Sequence, residues 1–584
     1  MMKKTKIICT MGPSTDSPAL LQDMIRAGMD LARFNFSHGD HASHKERLEM
    51  VRAAAKEVGK PVAMICDTKG PEMRLGLFKG GKAELENGHE FILTTEPCTG
   101  TAAMAHVNYA GLPEEVAVGN RILLADGMLI LEVTKIEGPR IYTVVRSGGV
   151  ISDRKRVACP GVELKMPFLS EQDKKDILFA AENGMDYVAA SFVQNADNVF
   201  AIRRLLETKG YRMGIISKIE NNAGLEHIDD IIKASDAIMV ARGDLGVEIP
   251  AEVVPLWQKK IIRKCNLAGK PVVTATQMLE SMTNSARCTR AEASDVANSI
   301  FDGTDAIMLS GETASGQYPL EAVRTMAEIA QTTEAALDYA KLSSLESKHG
   351  RTYSTDAIAH ATVQIAREIE ADAILSVTSS GFTARNISKY RSPVPVVAVT
   401  QTPEVCRALQ LFWGVEPIVG PYSANTDEMM EMSVQAALDA GCISQGDSLV
   451  LTAGIPIGKP GSTNMIKVIN LGRKILSGSG IGKRGYSGEV CVCRKTEDFI
   501  KKLRPGMVLV VDVLNEEDVA YAAQAGAIIA EEGGFTSPAA ILGINYNIPV
   551  IIGAANATDV LTDGRRVTLD TASGIVYDGI INIK

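Results

Sequence analysis

The sequence predicts an α/β protein built on a (β/α)8 TIM barrel, with an inserted small β-barrel lid domain, a C-terminal α/β domain and an extra C-terminal domain. Three observations carry the barrel: β-rich runs alternate with helical segments from residue 5, eight such runs precede residue 320, and polar residues gather where the runs end. In order the runs are KIICTMG (6–12), DLARFNF (30–36), VAMICDT (62–68), YVAASFV (187–193), RMGIISKIE (212–220), AIMVARGD (237–244), PVVTATQML (271–279) and AIMLSGET (306–313). Helices fit between them, among them ADNVFAIRRLLETKG and AEVVPLWQKKIIRKCNLAG, the second closed by a glycine before Lys-Pro restarts a strand. In such a barrel the chemistry sits where strands give way to βα loops. There the sequence places Arg33, Asn35 and Ser37, then Asp67 and Thr68, Lys218 and Glu220, Arg242 and Asp244, Thr276 and Gln277, and Ser310 and Glu312.

The barrel accordingly takes residues 1–70 and 168–345. Between its third and fourth strands, residues 71–167 are β-rich and glycine-containing, too long for a plain loop, and read as a lid over the barrel mouth. A polar segment, KLSSLESKHGRTYST, marks the start of an α/β domain over 346–473, with strands ADAILSV, VPVVAVT, DSLVLTA and MIKVINL. Residues 474–488, with the Gly- and Ser-rich SGSGIGKRGYSG, read as a flexible linker into a last domain over 489–584.

At 584 residues the chain exceeds what one core organises, and its 46% hydrophobic and 22% charged residues are those of a globular protein. No apolar run reaches the ~18 residues that span a bilayer, and the start MMKKTKIICTMGPST lacks the core of a secretory signal, so we expect no membrane association and a cytoplasmic location. A net charge of −9 without a long basic stretch speaks against nucleic acid as a partner. The ten cysteines form no framework, and the Cys491/Cys493 pair lacks a second pair or a histidine, so free buried thiols are expected.

Alternation along a strand puts Lys218 and Glu220 on one face, pointing into the barrel mouth. Glu220 and Asp244, converging there, would repel unless a hard cation such as Mg2+ lay between them, and a neighbouring lysine suits a transferring phosphoryl group. An ion-pair network bracing the barrel fits the same spacing. In ARGDLGVEIP, a Gly-rich turn offers the amides of Gly243 and Asp244 to a carboxylate or phosphate, or is simply a turn. In RFNFSHGDHASH, Arg33 offers a planar fork for phosphate, and Asn35 and Ser37 are neutral oxygen ligands for a monovalent cation; a helix cap explains the segment equally well. His41 and His44 read as exposed helix residues.

Taken together, ARFNFSHG, CDTKGPEMR, SKIENNAG, ARGDLGVEIP, ATQMLESM and TRAEASDVANSIFDGTDAIMLSGETASGQYP closely resemble the pyruvate kinase family, in order and spacing, over residues 1–473. The resemblance implies phosphoryl transfer from phosphoenolpyruvate to ADP, giving ATP and pyruvate, the last step of glycolysis. It implies Glu220 and Asp244 as ligands of Mg2+ (or Mn2+), with Lys218 bridging the phosphoryl group and Arg33 beside it. Gly243, Asp244 and Thr276 would hold the substrate carboxylate, Thr276 also belonging to the group that organises protonation of the enolate. Arg74, His38, Lys155 and Asn35 would lie near the nucleotide. Asn35, Ser37, Asp67 and Thr68 match a K+ site, and Glu72 stands where K+-dependent members carry Glu and K+-independent members Lys. The domain from 346 would be allosteric, with Thr378, Ser379, Ser380 and Thr383 of SVTSSGFTAR holding a phosphorylated effector, although a capped helix start reads the same. The family suggests a homotetramer; neither the effector nor nucleotide preference beyond ADP is specified by the sequence.

The last domain resembles the phosphohistidine domain of phosphoenolpyruvate-using phosphotransferases, with Thr536, Ser537 and Pro538 where the signature has Thr-Ser-His. The eight histidines end at His360, so no residue there carries a phosphohistidine. A docking or stabilising role follows. Two other readings of the whole chain are a Mg2+-dependent aldolase or lyase acting on phosphoenolpyruvate or pyruvate, and a catalytically silent phosphometabolite sensor.

Overall fold

The structure, a computed structural model, describes residues 3–162, 164–343, 354–423, 425–454, 463–482 and 485–581. The chain divides into two compact units, one of residues 1–350, 388–391 and 402–417, the other of residues 351–387, 392–401 and 418–584.

In the first unit, eight parallel strands close into a barrel: β1 (Lys6–Thr10), β2 (Leu31–Asn35), β3 (Ala63–Asp67), β4 (Tyr187–Ala190), β5 (Gly214–Ile219), β6 (Ala237–Ala241), β7 (Val272–Ala275) and β8 (Ala306–Leu309). Each neighbours the next in sequence and β1 pairs with β8 (Lys6 opposite Ala306), as the alternating pattern predicts. The run AIMVARGD is shorter as a strand than expected, because Arg242–Glu248 turns into a helix directly after Ala241. Local chemistry sets the helices. Asp40 caps His41–Val58 through the Ser43 amide, Gly59 ends it in a left-handed conformation, and Ser170 caps Glu171–Glu182 with Asp173 reciprocating. Their apolar faces bury residues such as Leu48, Val51, Ile177 and Ala180 against the outside of the barrel.

The insertion folds as a seven-stranded sheet in the order Met73–Arg74, Arg156–Ala158, Arg121–Leu124, Leu129–Glu137, Arg140–Ser147, Glu90–Thr94 and Met104–His106, with a separate ribbon of Lys82–Leu85 and Gly149–Ser152. It has its own core, including Phe91, Leu93, Ile122, Leu131 and Ile141.

In the second unit, Val396–Thr400, Ala373–Val377, Ser448–Gly454 and Thr463–Asn470 lie side by side, the first three parallel and the last antiparallel, at the four places expected. The expected boundary at 345/346 lies outside the described residues. The expected linker over 474–488 is instead largely strand: Lys474–Ser477 and Ser479–Ile481 form opposite edges of an eight-stranded sheet, and Tyr486–Val492 lies inside it. Glycine permits close packing there, since a Cβ on Gly480 would lie 1.8 Å from the Thr571 carbonyl oxygen. Composition alone does not separate that role from flexibility. Lys483 and Arg484, from the same segment, lie outside the described residues. No helix among the described residues is long and apolar enough to cross a membrane.

Candidate active site

The polar cluster stands at the carboxyl ends of β2 to β7. Strand register places Asn35 opposite Asp67 and Ser217 opposite Ile238, so consecutive strand ends present their side chains on one rim. Lys218 is at its centre, with Nζ 3.1 Å from Asp67 Oδ1, 3.0 Å from Glu220 Oε1 and donating to Ser191 Oγ at 2.8 Å. Arg33 donates from Nε to Asp67 Oδ2 at 2.6 Å and from Nη1 to Thr10 Oγ1 at 2.9 Å. Ser191 and Thr10, which sequence reasoning left out, therefore position the two cations. Ser191 follows the strand YVAA as part of a run with no charged residue to draw attention to it.

All these groups are buried, so their charges interact strongly. Burial alone would raise the Asp67 carboxyl, but Arg33 and Lys218 hold it below its ordinary value. Burial also opposes the charge on Lys218, yet Asp67 and Glu220 keep that ammonium well above its usual range. For Glu220, burial wins: the carboxyl is raised, the Asp244 charge adds to the effect, and Lys218 offsets it only in part. Both partners of the Lys218–Glu220 pair rise because the site holds more carboxylates than Lys218 alone neutralises. Glu220 Oε2 accepts the Phe192 amide at 2.6 Å, whereas Oε1 is buried and receives no aligned hydrogen bond.

Asp244 lies in the first turn of the short helix after β6, and its Oδ1 accepts from Nη1 of Arg156. Arg156 comes from the inserted domain and was not singled out in the sequence, which pointed to its neighbour Lys155. Lys155 is half-buried, and its carbonyl accepts the Leu75 amide at 2.9 Å. Gly243 differs from expectation, because its amide is not free: it donates to Thr276 Oγ1 at 2.7 Å. Thr276 itself adopts a left-handed backbone, φ 68°, rare for a β-branched residue. Arg242 locks the loop beneath, donating to the Thr276 and Gln277 carbonyls and pairing with Asp295 at 2.7 Å.

Asn35 accepts the Ser37 amide on Oδ1 at 3.1 Å, and the Thr68 hydroxyl and amide face the Ala189 carbonyl at 3.4 and 3.0 Å, which brings Asn35, Ser37, Asp67 and Thr68 to two adjoining strand ends. Glu72 pairs with Arg74 at 2.8 Å. His38 contributes its carbonyl to His44 Nε2 at 2.8 Å. The histidines differ from expectation. His44 is 6% exposed and stacks on Phe36, and His41 is half-buried against Asp176 and Phe179. An apolar aromatic neighbour, Phe36, draws both rings inward. In the second unit the Thr378 hydroxyl accepts the Gly381 amide at 3.0 Å, Thr383 Oγ1 is 2.6 Å from Thr463 Oγ1, and Ser379 and Ser380 are partly exposed. The ten cysteines are free thiols; Cys98, Cys288 and Cys442 are only partly buried.

Residues 2–323 match the model of the pyruvate kinase barrel domain, and residues 356–469 that of the pyruvate kinase alpha/beta domain. The chain belongs to the pyruvate kinase family. It is 46% identical over 582 residues to a pyruvate kinase of Geobacillus stearothermophilus and 47% identical over 581 residues to one of Bacillus licheniformis, covering 99% of each chain in both comparisons. A pyruvate kinase of Staphylococcus aureus (strain USA300) is 43% identical over all 584 residues. The crystal structure of a pyruvate kinase from Cryptosporidium parvum superposes with a TM-score of 0.76 and 40% identity, covering 80% of this chain and 96% of that one. Residues 503–574 match the mobile domain of PEP-utilising enzymes, the resemblance read from the last domain. Pyruvate kinases are phosphotransferases, and the rim of charged strand ends suits such an enzyme.

Proposed function

We propose that this site moves the phosphoryl group of phosphoenolpyruvate onto ADP. The bond from phosphorus to the enol oxygen breaks, a bond to a β-phosphate oxygen of ADP forms, and the enolate left behind takes a proton at carbon to become pyruvate. The observation that carries this reading is Lys218, a buried ammonium held between Asp67 and Glu220 on the barrel rim with Arg33 beside it. Two fixed cations in a water-poor pocket stabilise charge spreading over a transferring phosphoryl group without reorganising.

The donor set suits a hard divalent cation: Glu220 keeps one buried oxygen without an aligned donor, and Asp244 presents a second carboxylate from the next strand end. Mg2+ or Mn2+ held by these two would neutralise phosphoryl oxygens. Lys218 and Arg33 orient the phosphoryl group, while the turn at Gly243 and Asp244 and the Thr276 hydroxyl hold the substrate carboxylate once the Gly243–Thr276 hydrogen bond opens. Thr276 also helps organise the proton delivered to the enolate. Asn35, Ser37, Asp67 and Thr68 supply oxygens for K+, with Glu72 adding negative charge nearby. Arg74, His38, Lys155 and Asn35 bind the nucleotide, and the inserted domain excludes water during transfer.

Regulation belongs to Thr378, Ser379, Ser380 and Thr383, which receive a phosphorylated effector in a protein that works as a cytoplasmic homotetramer. Thr378→Ala and Ser380→Ala should abolish activation and leave the effector-free maximal rate unchanged. Pyruvate formation from phosphoenolpyruvate and ADP, with Mg2+ and K+ present, tests the main reading. No pyruvate from folded protein would refute it.

A further inference from the structure

Arg156, on the strand Arg156–Ala158 of the inserted domain, reaches into the carboxylate cluster and donates to Asp244. Its side chain is 8% exposed. It donates to Asp244 Oδ1, and its Nε lies 4.0 Å from Glu72 Oε1. Although burial opposes its charge, Asp244, Glu220, Glu72 and Glu248 together keep that charge favourable. The guanidinium also lies over the Phe192 ring, 4.7 Å from its centroid, and Phe192 is the residue whose amide holds Glu220. Phe192 adopts φ 55°, so its backbone is already in an uncommon conformation that this packing supports. Arg156 thus touches Asp244 directly and Glu220 through Phe192.

We propose that Arg156 is a positioning residue through which the inserted domain and the divalent cation compete for Asp244. The inference rests on the reading of Asp244 as a metal ligand. A carboxylate oxygen that accepts a guanidinium N–H is a poorer ligand for a metal ion, and two cations on one carboxylate repel. Linkage then makes the effect reciprocal: what the ion gains by Arg156 leaving, the docked inserted domain loses. Arg156 in this role docks the domain over the acidic rim before the ion binds and yields Asp244 as it does.

The test uses the full chain and Mn2+ alone, with no substrate. Mn2+ affinity is read by electron spin resonance in the wild type, Arg156→Gln, Arg156→Lys and Asp244→Asn, together with hydrogen exchange of peptides within residues 73–158. Arg156→Gln should bind Mn2+ at least about 5-fold more tightly, the lower end of ordinary coupling between sites. Its inserted domain should exchange faster without Mn2+ and respond less when Mn2+ is added. Arg156→Lys keeps the charge and should restore most of the wild-type affinity and protection; should the glutamine variant fail to fold, the wild type carries the test, because Mn2+ should speed exchange in its inserted domain and no change there overturns the proposal. Unchanged or weaker Mn2+ binding in Arg156→Gln, or unchanged exchange, overturns the proposal. Asp244→Asn separates the two layers: if it binds Mn2+ as the wild type does, the ligand assignment fails, and if it loses Mn2+ while Arg156→Gln matches the wild type, only the competition fails.

Discussion

The Gly243 amide donates to Thr276 Oγ1 at 2.7 Å, and the threonine that receives it is held at φ 68°. A β-branched residue in that region stores about 1–3 kcal/mol of strain. Thr276→Gly removes both the strain and the hydroxyl, so thermal stability should hold or rise while kcat falls by about 100-fold, the loss expected when one aimed polar group is removed. Thr276→Ser keeps the hydroxyl and should keep most of the rate. Steady-state kinetics alongside thermal melts decide this; a glycine variant with nearly full turnover would show that the reaction does not need the Thr276 hydroxyl.

Lys218 is the ammonium at the centre of the rim, between Asp67 and Glu220, and Lys218→Met should lower kcat by at least about 100- to 1000-fold. The variant leaves Asp67 paired to Arg33 but strips Glu220 of its ion-pair partner. A buried carboxylate left so has its pKa raised further, and the fold should lose stability at neutral pH and recover part of it as pH falls and Glu220 takes up a proton. Denaturation midpoints at pH 5 and pH 8 check the sign. A stability deficit that does not shrink at the lower pH would rule the argument out.

Much of this was legible in the sequence because period-2 alternation and strand ends fix which side chains meet. Lys218 and Glu220 are two residues apart and do face one another. Sequence spacing said less about groups whose role depends on a distant partner. Arg156 lies 88 residues before Asp244, and only folding of the insertion brings the two together. Ser191 is a small neutral residue with no motif of its own. The strands in 474–488 were hidden for the opposite reason, since glycine there serves close backbone packing rather than freedom.

Exchange of K+ for Na+ or choline should abolish most turnover, and equal rates in all three would remove the assigned K+ role. Glu72 is the residue to vary. It pairs with Arg74 at 2.8 Å and lies 4.0 Å from Arg156, so a lysine at 72 would set three cations together. Glu72→Gln avoids that crowding. It should weaken K+ activation, seen as a higher K+ concentration at half-maximal rate.

Asp30 offers an acid-stability test far from the chemistry. It sits at the amino end of the barrel strands, paired with Lys3 at 2.5 Å and Lys60 at 2.9 Å, and accepts the Ile7 amide. Burial favours its protonated form, but Lys3, Lys60 and Lys6 outweigh burial and hold the carboxyl far below its usual range. Lys3 is itself pushed down by burial while Lys60 is raised; the shorter distances and the amide bond place the net stabilisation on the ionised carboxylate. A group depressed in the folded state contributes fully above its unfolded value of about 3.9 and is lost as pH falls through the folded value. Wild-type stability should therefore drop below about pH 4, and Asp30→Asn, which breaks the pair, should cost about 3–5 kcal/mol at pH 7. The difference between the two should narrow in acid; a constant gap from pH 7 to pH 2 would contradict it.

Removal of everything after residue 473 separates the last domain from the reaction. That domain has cores of its own on the two faces of its sheet, one around Leu509, Val511 and Ile528, the other around Val490, Val508 and Val567. Its ties to the rest of the second unit are local. The Asp578 amide donates to the Arg473 carbonyl at 2.8 Å, and Tyr577 and Ile581 crowd Gly472 so closely that a Cβ there would lie 2.6 Å from the tyrosine ring. Truncation uncovers this small apolar patch but touches none of Arg33, Lys218, Glu220, Asp244 or Thr276, all of which belong to the first unit. With no histidine beyond His360, the removed residues also take no phosphoryl group as a phosphohistidine. The truncated enzyme should therefore keep kcat within about 3-fold, a change of well under 1.4 kcal/mol in barrier. Its melting temperature should fall by about 2–4 °C for each kcal/mol by which the truncation destabilises the fold. A folded truncation that makes no pyruvate would show that the last domain takes part in catalysis.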